Sequence, residues 1–348
     1  MKRKLPIVRI DRELSYNEWL NFRNMGLGGS EIAAVMGMSQ FKCSAEVYYQ
    51  KIGKFDQMRK PNLAMVSGNL REPELFTKYQ MWGGSIESFI DNYMESKIVN
   101  KLYNPKFFVI NPEFPHLFFS PDALMLKDYE HGRKFVVKGN YLYPDHIDKV
   151  IEFKTVNGFA FKQWEDEFNP AYGIQLMSYL MGMGIDEGRI FTEIDGRDLK
   201  ESTIKFDEEI ASTILSVTQN FWERVELGRE AVAKGGDYEQ FAPEPDGSEA
   251  YTQFLKEKYK NPEEKIAQDY PVEILHHAGY ANWFKLRRDE VEETIAFHEN
   301  NIKAYMGDRI TGINFGDMGK LTWRPNSKGT RSFINRAKPL DPNEEGAD

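Results

Sequence analysis

A single cysteine, Cys43, is all the thiol chemistry in this 348-residue chain. It cannot close an intrachain disulfide, build a cysteine-rich zinc site or hold an iron–sulfur cluster unaided. Long apolar runs are also missing. No stretch approaches the ~18 uninterrupted apolar residues that cross a bilayer, and Met1 to Pro6 lacks the apolar block of a secretory signal. The expectation is a soluble, cytoplasmic protein with no membrane partner. Internal repeats and low-complexity runs are absent, which excludes a repeat architecture. Net positive charge is wanting too: 45 Lys and Arg against 54 Asp and Glu give −9, which argues against non-specific coating of nucleic acid. With so little sulfur, any metal has to be held by oxygen ligands.

Apolar residues make up 41% of the chain and aromatics 14%, enough for one large domain or a core with an appendage. Residues 1–60 carry eleven Lys and Arg against six Asp and Glu, so a local groove can still favour a polyanion. The first ~105 residues read as helical, with Ser15 capping one helix and Ser30 capping Glu31 to Met36. Further helices are expected over Ser44 to Lys51 and from Glu72 to about Met81. Short β-branched or aromatic stretches bounded by turn residues then predict strands at Lys106 to Ile110, His116 to Ser120, Phe135 to Val137 and Lys149 to Thr155. A helix over Pro170 to Met183 precedes strands near Arg189 to Ile194 and Ser202 to Phe206, and a long helix runs from Asp207 toward Ala233. The expected organisation is a core over 1–234, an irregular Pro/Gly-rich connection over 235–271, a helical and β extension over 272–338, and an acidic tail over 339–348. In the extension Phe284, Val291, Ile295, Ile302 and Met306 align on one helical face, expected to dock on the protein's own core, with a role in oligomerisation as the alternative.

The richest chemistry lies in Val150 to Thr155. On a strand, Ile151 and Phe153 face one way while Glu152 and Lys154 emerge together on the other. The preceding Phe118-Phe119-Ser120-Pro121-Asp122 ends an apolar stretch with an acid. Asp122 and Glu152 can converge at adjacent strand ends and bind a hard divalent cation, with Mg²⁺ the expected occupant. Lys154 then lies beside a water attacking a phosphodiester. Glu72 stands before Pro73 at an expected helix start, and Tyr172, Gln175 and Tyr179 share one face of the 170–183 helix. Gly26-Leu27-Gly28-Gly29-Ser30 reads as a turn feeding a helix N-terminus, an anion site to which Ser30 adds a hydroxyl. Its spacing fits neither a dinucleotide fold nor a P-loop. His276-His277 reads as surface, Cys43 as packing, and Met177, Met181 and Met183 as core filling.

These motifs, over about residues 16–185, resemble the YqaJ-like viral recombinase family, of the phage lambda exonuclease type, within the PD-(D/E)xK nuclease superfamily. The resemblance rests on Arg23 with Gly26 to Glu31, Gly68 to Glu72, Ser120-Pro121-Asp122, Glu152-Phe153-Lys154 and Tyr172 to Gln175. It implies an α/β fold, a restriction-endonuclease-like core with a mixed central sheet flanked by helices, plus a mainly helical C-terminal extension. It implies Mg²⁺, with Mn²⁺ substituting, held by Asp122, Glu152 and the Phe153 backbone carbonyl, with Glu72 and Gln175 in support and Lys154 at the water. Arg23 matches the family's terminal-phosphate arginine, and with Gly28, Gly29 and Ser30 suggests a 5′-phosphate pocket; Tyr172 is a further candidate. The implied activity is 5′ to 3′ degradation of double-stranded DNA ends, leaving 3′ overhangs. The implied partners are a phage single-strand annealing protein and further copies of the chain in a trimeric ring, in a bacterial host. An endonuclease on the same fold, or a catalytically silent DNA-binding protein, are the rival readings. One departure stands out: twenty-nine residues separate Asp122 from Glu152, the surplus near Lys127 to Lys149 being expected to form a β-hairpin insert.

Overall fold

The computed structural model describes residues 4–11, 14–55, 63–127, 136–162, 164, 168–261, 271–326 and 330–339. The chain divides into two compact units, Met1–Pro262 and Glu263–Asp348.

The first unit opens with β1 (Leu5–Pro6) and β2 (Val8–Asp11), followed by α1 (Tyr16–Asn24), α2 (Gly29–Val35), α3 (Ser44–Lys51), α4 (Leu63–Met81) and α5 (Ile86–Met94). Ser15 and Glu18 close a capping box on α1, as its sequence suggests. The cap of α2 differs from expectation. Gly28 is the N-cap and Ser30 sits inside the first turn, so the Ser30 hydroxyl is spared for other work. Cys43 caps α3 through its sulfur, which accepts from the Glu46 amide at 3.4 Å, and it is buried.

Helix α4 begins at Leu63, nine residues before the expected start, and holds Pro73 in its interior. Glu72 therefore lies mid-helix, beside a turn whose i→i−4 bond proline removes. The cost is offset downstream, where Leu75, Tyr79 and Trp82 pack with Ile151, Phe153 and Phe191.

Next come β3 (Leu102–Tyr103), β4 (Phe107–Ile110), β5 (Ala123–Leu126), β6 (Val137–Lys138), β7 (Tyr141–Leu142), β8 (Ile147–Val156), α6 (Gly158–Phe161), α7 (Pro170–Met183), β9 (Glu187–Ile194), β10 (Asp198–Lys205), α8 (Glu208–Lys234) and α9 (Glu249–Lys258). The central sheet runs β10-β9-β8-β5-β3. Only β8 and β9 are parallel, and α7 lies in the crossover that such a pair requires. The result is a mixed sheet, with α7 over one face and α4 over the other.

His116 to Ser120 is not a ladder strand, as Pro115 and Pro121 cap it at both ends and neither can donate. It threads between two neighbours instead. Leu27 N donates to His116 O at 2.8 Å and Phe118 N to Leu27 O at 3.0 Å, while Val109 and Phe119 exchange a pair of bonds. This stitching brings the Gly26–Gly28 turn alongside the approach to Asp122. Of the expected 127–149 insert, residues 128–135 lie outside the described residues. The remainder contains the hairpin β6–β7, joined by β1.

Residues 235–261 are not a bare connection. Helix α9 buries Phe254 in the main core, with Tyr49 stacked on it at 5.5 Å. The aromatic residues Tyr238, Phe241 and Tyr251 also pack there, a contribution that the Pro and Gly count hides. Residues 262–270 and the tail beyond Pro339 lie outside the described residues.

The second unit holds α10 (Val272–Met306) and the antiparallel strands β11 (Gly312–Asn314), β12 (Gly319–Pro325) and β13 (Arg331–Ala337). The expected packing of the α10 stripe fails in its middle. Phe284, Val291 and Ile295 are all more than half exposed, and Met306 alone of the stripe is buried. A 35-residue helix is ~52 Å long at 1.5 Å per residue, and a strand of seven residues spans less than half of it.

Candidate active site

Strand β8 sets the site. Its alternation sends Ile151 and Phe153 toward α4, and Val150 and Glu152 toward α7. Both faces of the strand are covered, so Glu152 does not emerge into solvent: its exposure is 2%. Asp122 stands just before β5, whose Ala123 pairs with Ile151. The Phe153 amide donates to Asp122 Oδ2 at 2.7 Å, fixing one acid beside the other.

From α7, Gln175 Nε2 donates to Glu152 Oε1 at 2.7 Å and to the Tyr179 hydroxyl at 3.0 Å. Lys154 Nζ donates to the same Glu152 Oε1 at 2.6 Å and reaches Gln175 Oε1 at 3.5 Å. The Lys154 ammonium lies 4.7 Å from the centre of the Tyr172 ring. Glu152 Oε2 is buried with no partner. Burial first, then the Asp122 charge, push the Glu152 pKa up to about 8 against the pull of Lys154, and Glu72 adds to the rise. Burial works against the Lys154 ammonium, yet the Glu152 and Asp122 charges outweigh it and hold the lysine above its ordinary range.

A pocket of about 190 Å³ joins Asp122, Glu152 and Gln175 to Arg23, Gly28, Gly29 and Ser30. Two glycines make that proximity possible. A Cβ on Gly28 would stand 2.7 Å from the Phe118 ring, and one on Gly29 would stand 2.7 Å from both Gln175 Cγ and the Tyr179 hydroxyl. The structure thus gathers the expected residues around Glu152, with Glu72 reaching it through charge from α4.

Among the described residues no group of three or more His, Cys, Asp or Glu is arranged to hold a metal. Two carboxylates and a main-chain carbonyl are nonetheless a normal protein share for Mg²⁺, which keeps several waters. The unpartnered Glu152 oxygen beside a second acid would fit a cation, and hard oxygen donors suit Mg²⁺ or Mn²⁺.

Sequence reasoning missed the support beneath Arg23. Glu31, buried in α2, pairs with the Arg23 guanidinium and with Lys51 Nζ at 2.9 Å, and accepts from Gly28 N at 3.2 Å. Lys51 is itself buried at the end of α3. In sequence the two look like ordinary first-turn acid and last-turn base, and nothing local joins them. Desolvation opposes the Glu31 charge, but Arg23, Lys51 and Lys42 hold its pKa down to about 2. Since that value lies below the ordinary 4.5, the stabilisation is present above pH ~4.5 and lost as pH falls through about 2. Glu31→Gln leaves buried Lys51 without its counter-charge and is expected to destabilise the fold by about 3–5 kcal/mol. Urea unfolding at neutral pH checks this, and a difference below about 1 kcal/mol would discount the pair.

An acid pair, a lysine two residues on and a helix-borne glutamine, set on a mixed sheet, form the arrangement expected of a PD-(D/E)xK-type site. Residues 18–186 match the family described as the YqaJ-like viral recombinase domain. The uncharacterized protein YqaJ of Bacillus subtilis (strain 168) is 23% identical over 328 residues, covering 93% of this chain and 88% of that protein. Among solved structures, an alkaline exonuclease (LHK-Exo) from Laribacter hongkongensis aligns at a TM-score of 0.45 with 17% identity, over 63% of this chain and 97% of that one. A phage related exonuclease from Haemophilus somnus 129PT aligns at 0.38 with 12% identity, over 63% and 100%.

Proposed function

We propose that this chain is a Mg²⁺-dependent DNA exonuclease that degrades the 5′-ended strand of a duplex and leaves 3′ overhangs for an annealing partner. The observation that carries the reading is one pocket lined both by Asp122 and the buried Glu152, whose Oε2 has no partner, and by Arg23 and Ser30. Asp122, Glu152 and the Phe153 carbonyl would hold Mg²⁺, with Mn²⁺ able to substitute. The ion would supply charge stabilisation at the scissile phosphate and lower the pKa of water there.

The protein's own residues do the rest. The Glu152 and Asp122 charges hold the Lys154 ammonium above its ordinary range, so Lys154 would serve as a donor that orients the attacking water and offsets developing negative charge. Gln175 divides its amide between Glu152 and Lys154 and holds acid and lysine in register. Glu72 adds negative charge from α4. Arg23, an always-charged planar donor, and the exposed Ser30 hydroxyl would receive a terminal 5′-phosphate.

Arg23→Ala is therefore expected to shrink the preference for a 5′-phosphorylated end over a 5′-hydroxyl end by about tenfold or more, the worth of a charge-assisted bond. Initial rates on the two ends, measured for wild type and variant, test this. Equal wild-type rates on both ends would remove the pocket.

A further inference from the structure

Beyond the pocket, a row of aromatic rings leads away from Lys154. Tyr172, under the lysine, meets Trp164 at 5.7 Å, and Trp164 meets Phe161 at 5.3 Å, both edge to face. Lys200 Nζ closes the row 5.3 Å from the Phe161 centre. The sheet register explains the two ends. Lys154 pairs with Thr192, and Thr192 with Lys200, so both lysines point from one face, two strands or ~10 Å apart. Phe159, on the same short helix as Phe161, is 77% exposed.

These rings are not core. Tyr172 packs on the main core, but Phe159, Phe161 and Trp164 belong to none of the three buried clusters among the described residues. Three aromatics within six residues, directly after the strand that carries Glu152 and Lys154, are left facing outward or half covered. Aromatic faces beside lysines suit unpaired nucleobases, each stacked base contributing where any base can serve. In the sequence Glu165-Asp166-Glu167 follow, outside the described residues, so the local charge does not favour a bare polyanion and stacking has to carry the contact.

We propose that Phe159, Phe161 and Trp164 form a stacking platform for unpaired nucleotides of a DNA strand next to the active site, with Lys162 and Lys200 beside the backbone. This rests on the nuclease reading for its position, but it is tested without hydrolysis. Wild-type protein in EDTA is titrated into a fluorescently labelled single-stranded oligothymidylate, read by anisotropy. Phe159→Ala and Trp164→Ala are each expected to weaken binding about fivefold or more, as removal of a stacking ring does. Because Phe159 is exposed, its variants keep the fold. Phe159→Trp is expected to retain affinity, whereas Phe159→Leu, apolar but without a π-face, is not.

Equal affinity for wild type and Phe159→Ala, or no oligonucleotide binding by the wild type, would overturn the platform. Digestion of duplex ends is scored separately with Mg²⁺ present. A wild type that digests DNA while the ring variants bind oligonucleotide like wild type defeats the platform alone. One that binds through the rings but never cuts defeats the nuclease reading alone.

Discussion

Glu152→Gln is expected to lower DNA hydrolysis by about 10³-fold or more, since on the proposed reading it removes a charge on which both cation binding and transition-state stabilisation would depend. The fold is expected to survive. Glutamine has nearly the shape of glutamate, and the native carboxylate is a poorly tolerated buried charge whose pKa is already driven up by desolvation and Asp122. Removing it relieves the repulsion with Asp122, and Lys154, unlike Lys51, keeps a second acid, Asp122, near its ammonium, so the metal-free variant should melt close to wild type. Activity on a linear duplex and thermal denaturation by circular dichroism separate the two statements. Near-wild-type turnover, with the same Mg²⁺ requirement, would show that Glu152 is not the acid at the centre of the chemistry.

Lys154→Met carries the second large effect, and its signature is different. Turnover is expected to fall about 10²-fold or more, the scale set by losing a donor aimed at developing charge. Affinity for Mg²⁺ is expected to hold or rise. The ammonium lies 2.6 Å from Glu152 Oε1 and competes for the charge that the ion needs, so its removal favours the cation. Methionine retains an apolar side chain of similar reach while removing the ammonium that lies over Tyr172. Calorimetric titration of Mg²⁺ paired with saturating-metal rates tests the split. Weakened Mg²⁺ binding with full turnover at saturation would assign Lys154 to holding the metal site together.

Helix α7 was legible almost residue for residue because its signals are local. Asn169 caps it, Pro170 opens it and Gly184 ends it in a left-handed conformation. Strand β8 was legible for the same reason, through its alternation and flanking turns. What the alternation could not tell was that the Glu152 face is covered by α7, because burial on both sides depends on elements distant in sequence. That burial turns a common Glu-x-Lys strand motif into a carboxylate with an unpartnered oxygen.

The Glu31–Lys51 pair was hidden likewise, each residue having an adequate local explanation. Pro73 misled in the opposite direction. As a first-turn residue it would be unremarkable, but tertiary packing of Leu75 and Tyr79 keeps α4 intact across it. The Pro and Gly count over 235–271 concealed α9 for a similar reason, since Phe254 is held by Tyr49 and Phe55 from elsewhere in the chain. The α10 stripe shows the converse limit. Its spacing gives a helix face but does not supply a surface to cover it.

The central claim is that one pocket joins a metal-assisted phosphodiesterase site to a receptor for a duplex end. It is tested most directly by incubating the purified protein with linear 5′-phosphorylated duplex and with closed circular duplex of the same sequence, with Mg²⁺ and with EDTA. The expected result is progressive loss of one strand from the linear ends with Mg²⁺ alone, and closed circles left intact. Nicking of the circle at a comparable rate, or digestion of the linear duplex in EDTA, would contradict it.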